Sequence, residues 1–202
     1  MDIVANLKKS FELYAKNFVP VFLATLITAL VSGITFGLLA GPLLGGLFVF
    51  LRKTSAGEKP GLGVVFSRFD KFLPALLVMI IAFVAGLVIS IIGEIPVIGK
   101  LFNLAASSLL SLIAFMAIAF VVDKDLGPVD AVKRSIQAFL TEPLMVWLYS
   151  LAIFILGGIG ALFFVFPVVF TMPFAVIGAT LAYDELSMRE PGSLNLEKVD
   201  KR

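Results

Sequence analysis

The sequence predicts an all-α, polytopic membrane protein: six transmembrane helices in three hairpin repeats, each preceded by an interfacial amphipathic helix. Three observations predict it, namely bulk composition, the placement of charge, and amphipathic stretches recurring ahead of apolar ones. Of 202 residues, 60% are hydrophobic and 15% are charged, with a mean hydropathy of +1.08. A water-soluble fold with this composition has too little polar surface to cover its exterior.

Charge divides the chain into spans. No Asp, Glu, Lys or Arg occurs in 18–51, 72–93, 101–122 or 143–183. The two middle stretches match the ~20 residues that cross a bilayer. The outer two are long enough to fold back as two-helix hairpins, which brings the total to six. The first hairpin is short, so its second helix is expected to continue past Arg52 and Lys53, whose long stems reach the interface.

Fifteen of the sixteen basic residues fall on one side of this topology, in the N-terminal arm, the 52–71 and 123–142 loops and the tail; Lys100 alone lies opposite. The positive-inside rule then places both termini in the cytoplasm of a multi-pass plasma (inner) membrane protein. The start, "MDIVANLKKSFELYAKNF", has no separate apolar stretch or small-residue cleavage site, and is expected to be an elbow rather than a leader.

The first amphipathic stretch places Ile3, Val4, Leu7, Phe11, Tyr14 and Phe18 opposite Lys8, Lys9, Glu12 and Lys16. In the second, Leu62, Val65, Phe66, Phe69, Phe72 and Leu73 oppose Ser67, Arg68, Asp70 and Lys71. The third sets Val129, Val132, Ile136, Phe139 and Leu140 against Asp130, Arg134 and Gln137. Such helices lie in the membrane interface, with basic faces toward an anionic leaflet. A shift of 125 aligns Val4, Lys8, Ser10, Gly33 and Pro42 with Val129, Lys133, Ser135, Gly158 and Pro167, and a shift of 54 aligns "NFVPVFL" with "KFLPALL". The expected organisation is one transmembrane domain, 1–186, with repeats of about 1–56, 61–122 and 127–186, and a polar cytoplasmic tail, 187–202.

Several function classes lose support. The chain has no His and no Cys, which removes the commonest general bases and metal ligands. The spans hold no carboxylate for a proton relay and no Lys to activate a serine. No enzyme, cofactor, metal or nucleic-acid partner is expected. Asp123 with Asp125, and Asp184 with Glu185, could offer oxygen ligands to a divalent cation, but solvated helix ends, with Asp125 as a cap, are the plainer reading.

Two polar stripes remain. Thr25, Thr28, Ser32 and Thr35 share one arc of the first span, and Asn103, Ser107 and Ser111 form a row on the fourth. They would line a narrow path for a small neutral solute, or else hydrogen-bond between helices or to their own helix carbonyls. Gly33, Gly37, Gly41 and Gly45 recur every four residues without a Walker pattern. With Gly158 they are expected to serve close helix packing rather than a phosphate cradle. Gly41-Pro42 would end one helix and start the next.

"GPLLGGLFVFLRKTSAGEKPGLGVVFSRFDKFLPALL" (41–77), "GPVDAVKRSIQAF" (127–139) and "PFAVIGATLAYDEL" (173–186) together resemble a group of poorly characterised prokaryotic polytopic membrane proteins. That group includes the membrane domain fused to some glycerophosphodiester phosphodiesterases. The resemblance implies a six-helix membrane fold and no activity, because the phosphodiesterase chemistry belongs to a separate soluble domain. Two functions are therefore carried forward. One is a non-enzymatic scaffold or accessory protein that meets membrane lipids, a membrane-protein partner or a second copy of itself. The other is a small transporter or channel for a neutral or amphipathic solute or lipid.

Overall fold

The computed structural model describes residues 2–95, 98–158 and 165–188, without the side chains of 165–169. Among these the protein is all-helical. Helix α1 (Ile3–Lys16) opens where the Asp2 carboxylate accepts the Ala5 N–H at 3.0 Å, satisfying one of the free donors of the first turn. At Asn17 the chain bends by 97° into α2 (Phe18–Ile34). A tight turn leads to α3 (Ala40–Ser55), which holds Pro42 in its first turn, where a missing N–H costs no helical bond, and Arg52 and Lys53 in its last. Two 3-10 turns follow (Leu62–Phe66 and Phe69–Lys71), then α4 (Phe72–Gly93) and α5 (Ile98–Lys124). Helix α6 (Pro128–Thr141) has Pro at its first position, and a 107° bend joins it to α7 (Pro143–Gly158). Helix α8 (Val165–Met188) completes the described chain.

Among the described residues two helical runs, Leu62–Gly93 and Ile98–Lys124, are long and apolar enough to cross a membrane, and the count rises to as many as four if α1–α2 and α6–α7 are each one bent span. Helices α2, α3 and α7 have 16 or 17 residues, which reach only about 25 Å at the rise of an α-helix.

The core is built round α3, which meets α2, α4, α5, α8 and the first 3-10 turn. Leu43, Leu47, Phe48, Phe50 and Leu51 are buried along one side of it, and Gly41, Pro42, Gly45 and Gly46 are buried on the rest, so the helix is enclosed nearly all round. The second half of α5 and the inner face of α8 close over it through Met116, Ile118, Phe120, Ile177, Tyr183 and Leu186. Helix α4 is the reverse: it buries only Ala75 and Val78 and exposes Leu73, Leu77, Ile80, Phe83 and Leu87.

Helices α1 and α6 lie across the ends of their successors. Each has 14 residues, and each hides one serine that bonds back into its own helix: Ser10 Oγ donates to Asn6 O at 2.8 Å, and Ser135 Oγ to Ala131 O at 2.9 Å. Val4 and Phe11 on α1, and Val129, Ile136 and Leu140 on α6, remain exposed. The second unit departs from this pattern, since two 3-10 turns stand where the sequence predicts a third amphipathic helix. Pro60, Gly61 and Gly63 explain the difference, because proline cannot continue a helix and glycine weakens one by about 1 kcal/mol.

The expected helix-packing row of glycines also divides. A Cβ on Gly41 would stand 2.7 Å from the Ala75 carbonyl group, and one on Gly45 2.7 Å from a Val122 methyl. Among the described residues nothing lies within 4 Å of that position at Gly33, Gly37 or Gly158. Gly37 is not helical at all: α2 stops at Ile34, and Gly37 sits in the following turn at φ +81°, a conformation open to glycine at little cost. Gly46, outside the four-residue spacing, is the tightest of the set, with the Val65 carbonyl oxygen only 1.8 Å from where its Cβ would be. Close approach also falls on Gly157 rather than on Gly158, against the Ala75-like small side chain of Ala175 at 2.5 Å.

Candidate functional site

Two places gather polar groups inside this apolar frame. The first is a cavity of about 550 Å³ between α4, α5, α7 and α8. Helix α5 contributes Ser107, Ser108 and Ser111 to it and α7 contributes Ser150, while Met79, Phe83, Phe115, Ile153 and Val176 make the rest of the wall largely apolar. Most of these hydroxyls already donate. Ser107 Oγ donates to Asn103 Oδ1 at 3.1 Å, Ser108 Oγ to Ala105 O at 2.8 Å and Ser150 Oγ to Trp147 O at 2.8 Å. Trp147 Nε1 reaches the same Ala105 carbonyl at 3.3 Å and ties α7 to α5. With their protons engaged, the three serines present oxygen lone pairs to a guest.

The two stripes do not share this cavity. Ser107 and Ser111 line it, whereas Thr25, Thr28, Ser32, Thr35 and Asn103 are not among its walls. Thr25 and Thr28 are buried and donate to Val21 O and Ala24 O, each at 2.9 Å, and Thr35 donates to Val31 O at 2.8 Å. These threonines satisfy themselves on their own helix. Ser32 Oγ is the exception, shielded and without a hydrogen-bond partner among the described residues.

The second place is a charged knot where the last turns of α3, α5 and α8 meet. Arg52 hydrogen-bonds Asp123, and its Nε stands 3.3 Å from Asp184 Oδ1, close enough for an ion pair but without the alignment of a hydrogen bond. Tyr183 Oη donates to the other Asp123 oxygen at 2.9 Å, and Lys124 Nζ lies 3.6 Å from it. The Tyr183 ring is held edge-on by Phe48 and Phe120 at 5.0 and 4.8 Å, and the Arg52 guanidinium lies 5.8 Å from the Phe48 ring centre. Asp184, one residue beyond the charge-free stretch, has its carboxyl pushed above the ordinary range by burial, against the opposing pull of Arg52. The knot links three helices that are distant in sequence.

Sequence reasoning placed Asp123 and Asp184 at solvated helix ends and missed their convergence on Arg52. The available signal was positional, since all three residues stand immediately beyond charge-free stretches. Asp125 is not a helix cap: Gly127 occupies that position, and Asp125 accepts from Lys71 Nζ at 2.5 Å. Among the described residues no cluster of three acidic side chains is placed to hold a metal ion. Compared with protein-family models, curated proteins and solved structures, the chain matches none.

Proposed function

We propose that the chain is a six-span integral membrane protein with cytoplasmic termini that works without enzymatic chemistry, as a scaffold or accessory factor contacting lipid and other membrane proteins. The observation that carries this reading is the bareness of α4, which buries only Ala75 and Val78 of its 22 residues, whereas α5 buries eleven of its 27. An apolar surface of that extent needs a bilayer or an apolar partner to cover it. The 125-residue offset that relates α1 to α6 and α2 to α7, with similar bends, supports the repeat. Counting the short helices α2, α3 and α7 as spans gives six, in keeping with the resemblance to the membrane domain fused to some glycerophosphodiester phosphodiesterases.

Alkaline carbonate washing of membranes from expressing cells tests the first half: the protein should stay with the membrane, and its release would refute an integral fold. Cross-linking in those membranes tests the second half. A scaffold gives a discrete adduct with a second copy or a membrane protein, and monomer alone would refute it.

The cavity favours a second reading, a carrier for a neutral amphipath. Its apolar wall suits a hydrocarbon portion, and the serine lone pairs suit a head that donates a hydrogen bond. Flux of such solutes into liposomes containing the purified protein should fall when Ser150→Leu fills the cavity; unchanged flux would discard the carrier.

A further inference from the structure

A smaller pocket of about 290 Å³ opens beside the charged knot, walled by Phe48, Val49, Arg52, Lys53, Ala56, Glu58, Arg68, Val122 and Asp123. Its charged residues are three cations and two carboxylates, and four of these five are already matched. Asp123 turns to Arg52, Tyr183 and Lys124, and Lys53 Nζ lies 3.8 Å from Glu58 Oε2. Arg68 is left over. Its Nε is shielded from solvent and has no hydrogen-bond partner among the described residues, which leaves one N–H of a half-buried guanidinium unsatisfied until an acceptor occupies the space in front of it.

The surroundings hold Arg68 in this position. Its backbone lies against α3, with the Arg68 Cβ in ordinary contact range, 3.7 Å, of the Cβ position at Gly45. On either side in sequence, Phe66 and Phe69 stack at 6.3 Å, and both are exposed. A guanidinium flanked by two outward phenyl rings at the basic end of an apolar bundle has the chemistry of a phospholipid clamp: paired N–H groups for phosphate oxygens, and rings for the upper part of the acyl chains.

We propose that Arg68, with Arg52 and Lys53 as flanking charges, binds the phosphate of an anionic phospholipid headgroup, with Phe66 and Phe69 against its chains. This rests on the membrane reading above, and the two fail separately. A carbonate-extractable protein sinks the membrane reading, whereas an embedded protein indifferent to Arg68 sinks only the site.

Native mass spectrometry of the full chain from nanodiscs of phosphatidylcholine with phosphatidylglycerol reads the number of retained anionic lipids. Thermal unfolding in detergent with added inorganic phosphate provides the second arm. Arg68→Gln should reduce phosphatidylglycerol retention about tenfold, while Lys133→Gln, which removes an exposed cation on α6, should leave it within about twofold. Arg68→Lys, keeping the charge without the fork, should fall between them. Circular dichroism confirms that each variant is folded; if Arg68→Gln is not, Phe66→Ser with Phe69→Ser serves in its place and should lower retention of lipid but not stabilisation by phosphate. Arg68-dependent stabilisation by inorganic phosphate without lipid dependence would keep the phosphate site and move its ligand to solution. Equal losses in Arg68→Gln and Lys133→Gln, or no loss in either arm, would overturn the proposal.

Discussion

The two ends of α3 and its neighbours are built on opposite principles. At the end carrying Arg52, side chains from α3, α5 and α8 interlock: Arg52 pairs with Asp123 and Asp184, and Tyr183 is pinned between two phenyl rings, while Gly46, midway along α3, lies under the Val65 carbonyl. At the other end, Phe36 is fully exposed at φ +49°, Gly37 turns the chain, and Gly33 faces open space. The same residue type does different work within α3 and in the turn before it. Gly41 and Gly46 remove volume where another backbone approaches, and Gly37 supplies a backbone angle.

Substitutions can break that contrast, beginning with the largest effect. Gly46→Val inserts a branched side chain into a carbonyl group and should destabilise the protein by about 3 kcal/mol or prevent its folding. Loss of a monodisperse peak after detergent extraction would register this, and wild-type behaviour would show that the 3-10 turn moves aside freely. Tyr183→Phe removes one donor from Asp123 while keeping the ring, and should cost about 1 kcal/mol in denaturant titration. Gly37→Ala should cost a similar amount, about 1 kcal/mol, from backbone strain alone and without any change in oligomeric state. The smallest effect belongs to Gly33→Leu, expected to change the stability of the isolated chain by less than about 0.5 kcal/mol. If Gly33→Leu instead dissolves a cross-linked dimer, the open glycine face is an interface between copies, and the contrast sharpens from packed against open to internal against external.

The helices were legible because apolar runs and charge gaps are strong one-dimensional signals. The long α5 and the two elbows follow from them. The end of α2 does not, since the sequence predicts that Gly41-Pro42 closes that helix, whereas it stops at Ile34, the turn occupies 35–39, and both residues belong to α3. What was not legible depended on three-dimensional neighbours. The spacing of Gly33, Gly37, Gly41 and Gly45 looks like one continuous face, but the helix ends at Ile34 and leaves Gly37 in a turn, and among the described residues nothing approaches it or Gly33 closely. Gly46 lies one residue off the pattern, and only the approach of the loop at Val65 reveals its role. The charged knot was hidden for a related reason: Arg52, Asp123 and Asp184 are separated by scores of residues, and each alone looks like an ordinary helix end. The threonine row was legible in direction but not in use, because nothing in its spacing distinguishes a hydroxyl facing a path from one bonded to its own carbonyl.

The absence of charge from 18–51, 72–93, 101–122 and 143–183 has an electrical consequence. Moving one elementary charge across a membrane held at 100 mV changes its energy by about 2.3 kcal/mol. Arg52, Asp123 and Asp184 sit together at one end and are bound to one another, and the stretches between the ends carry no formal charge to move. In a bilayer, a shift of these helices past one another would carry almost no gating current, so whatever conformations the protein adopts should be populated alike in polarised and depolarised cells.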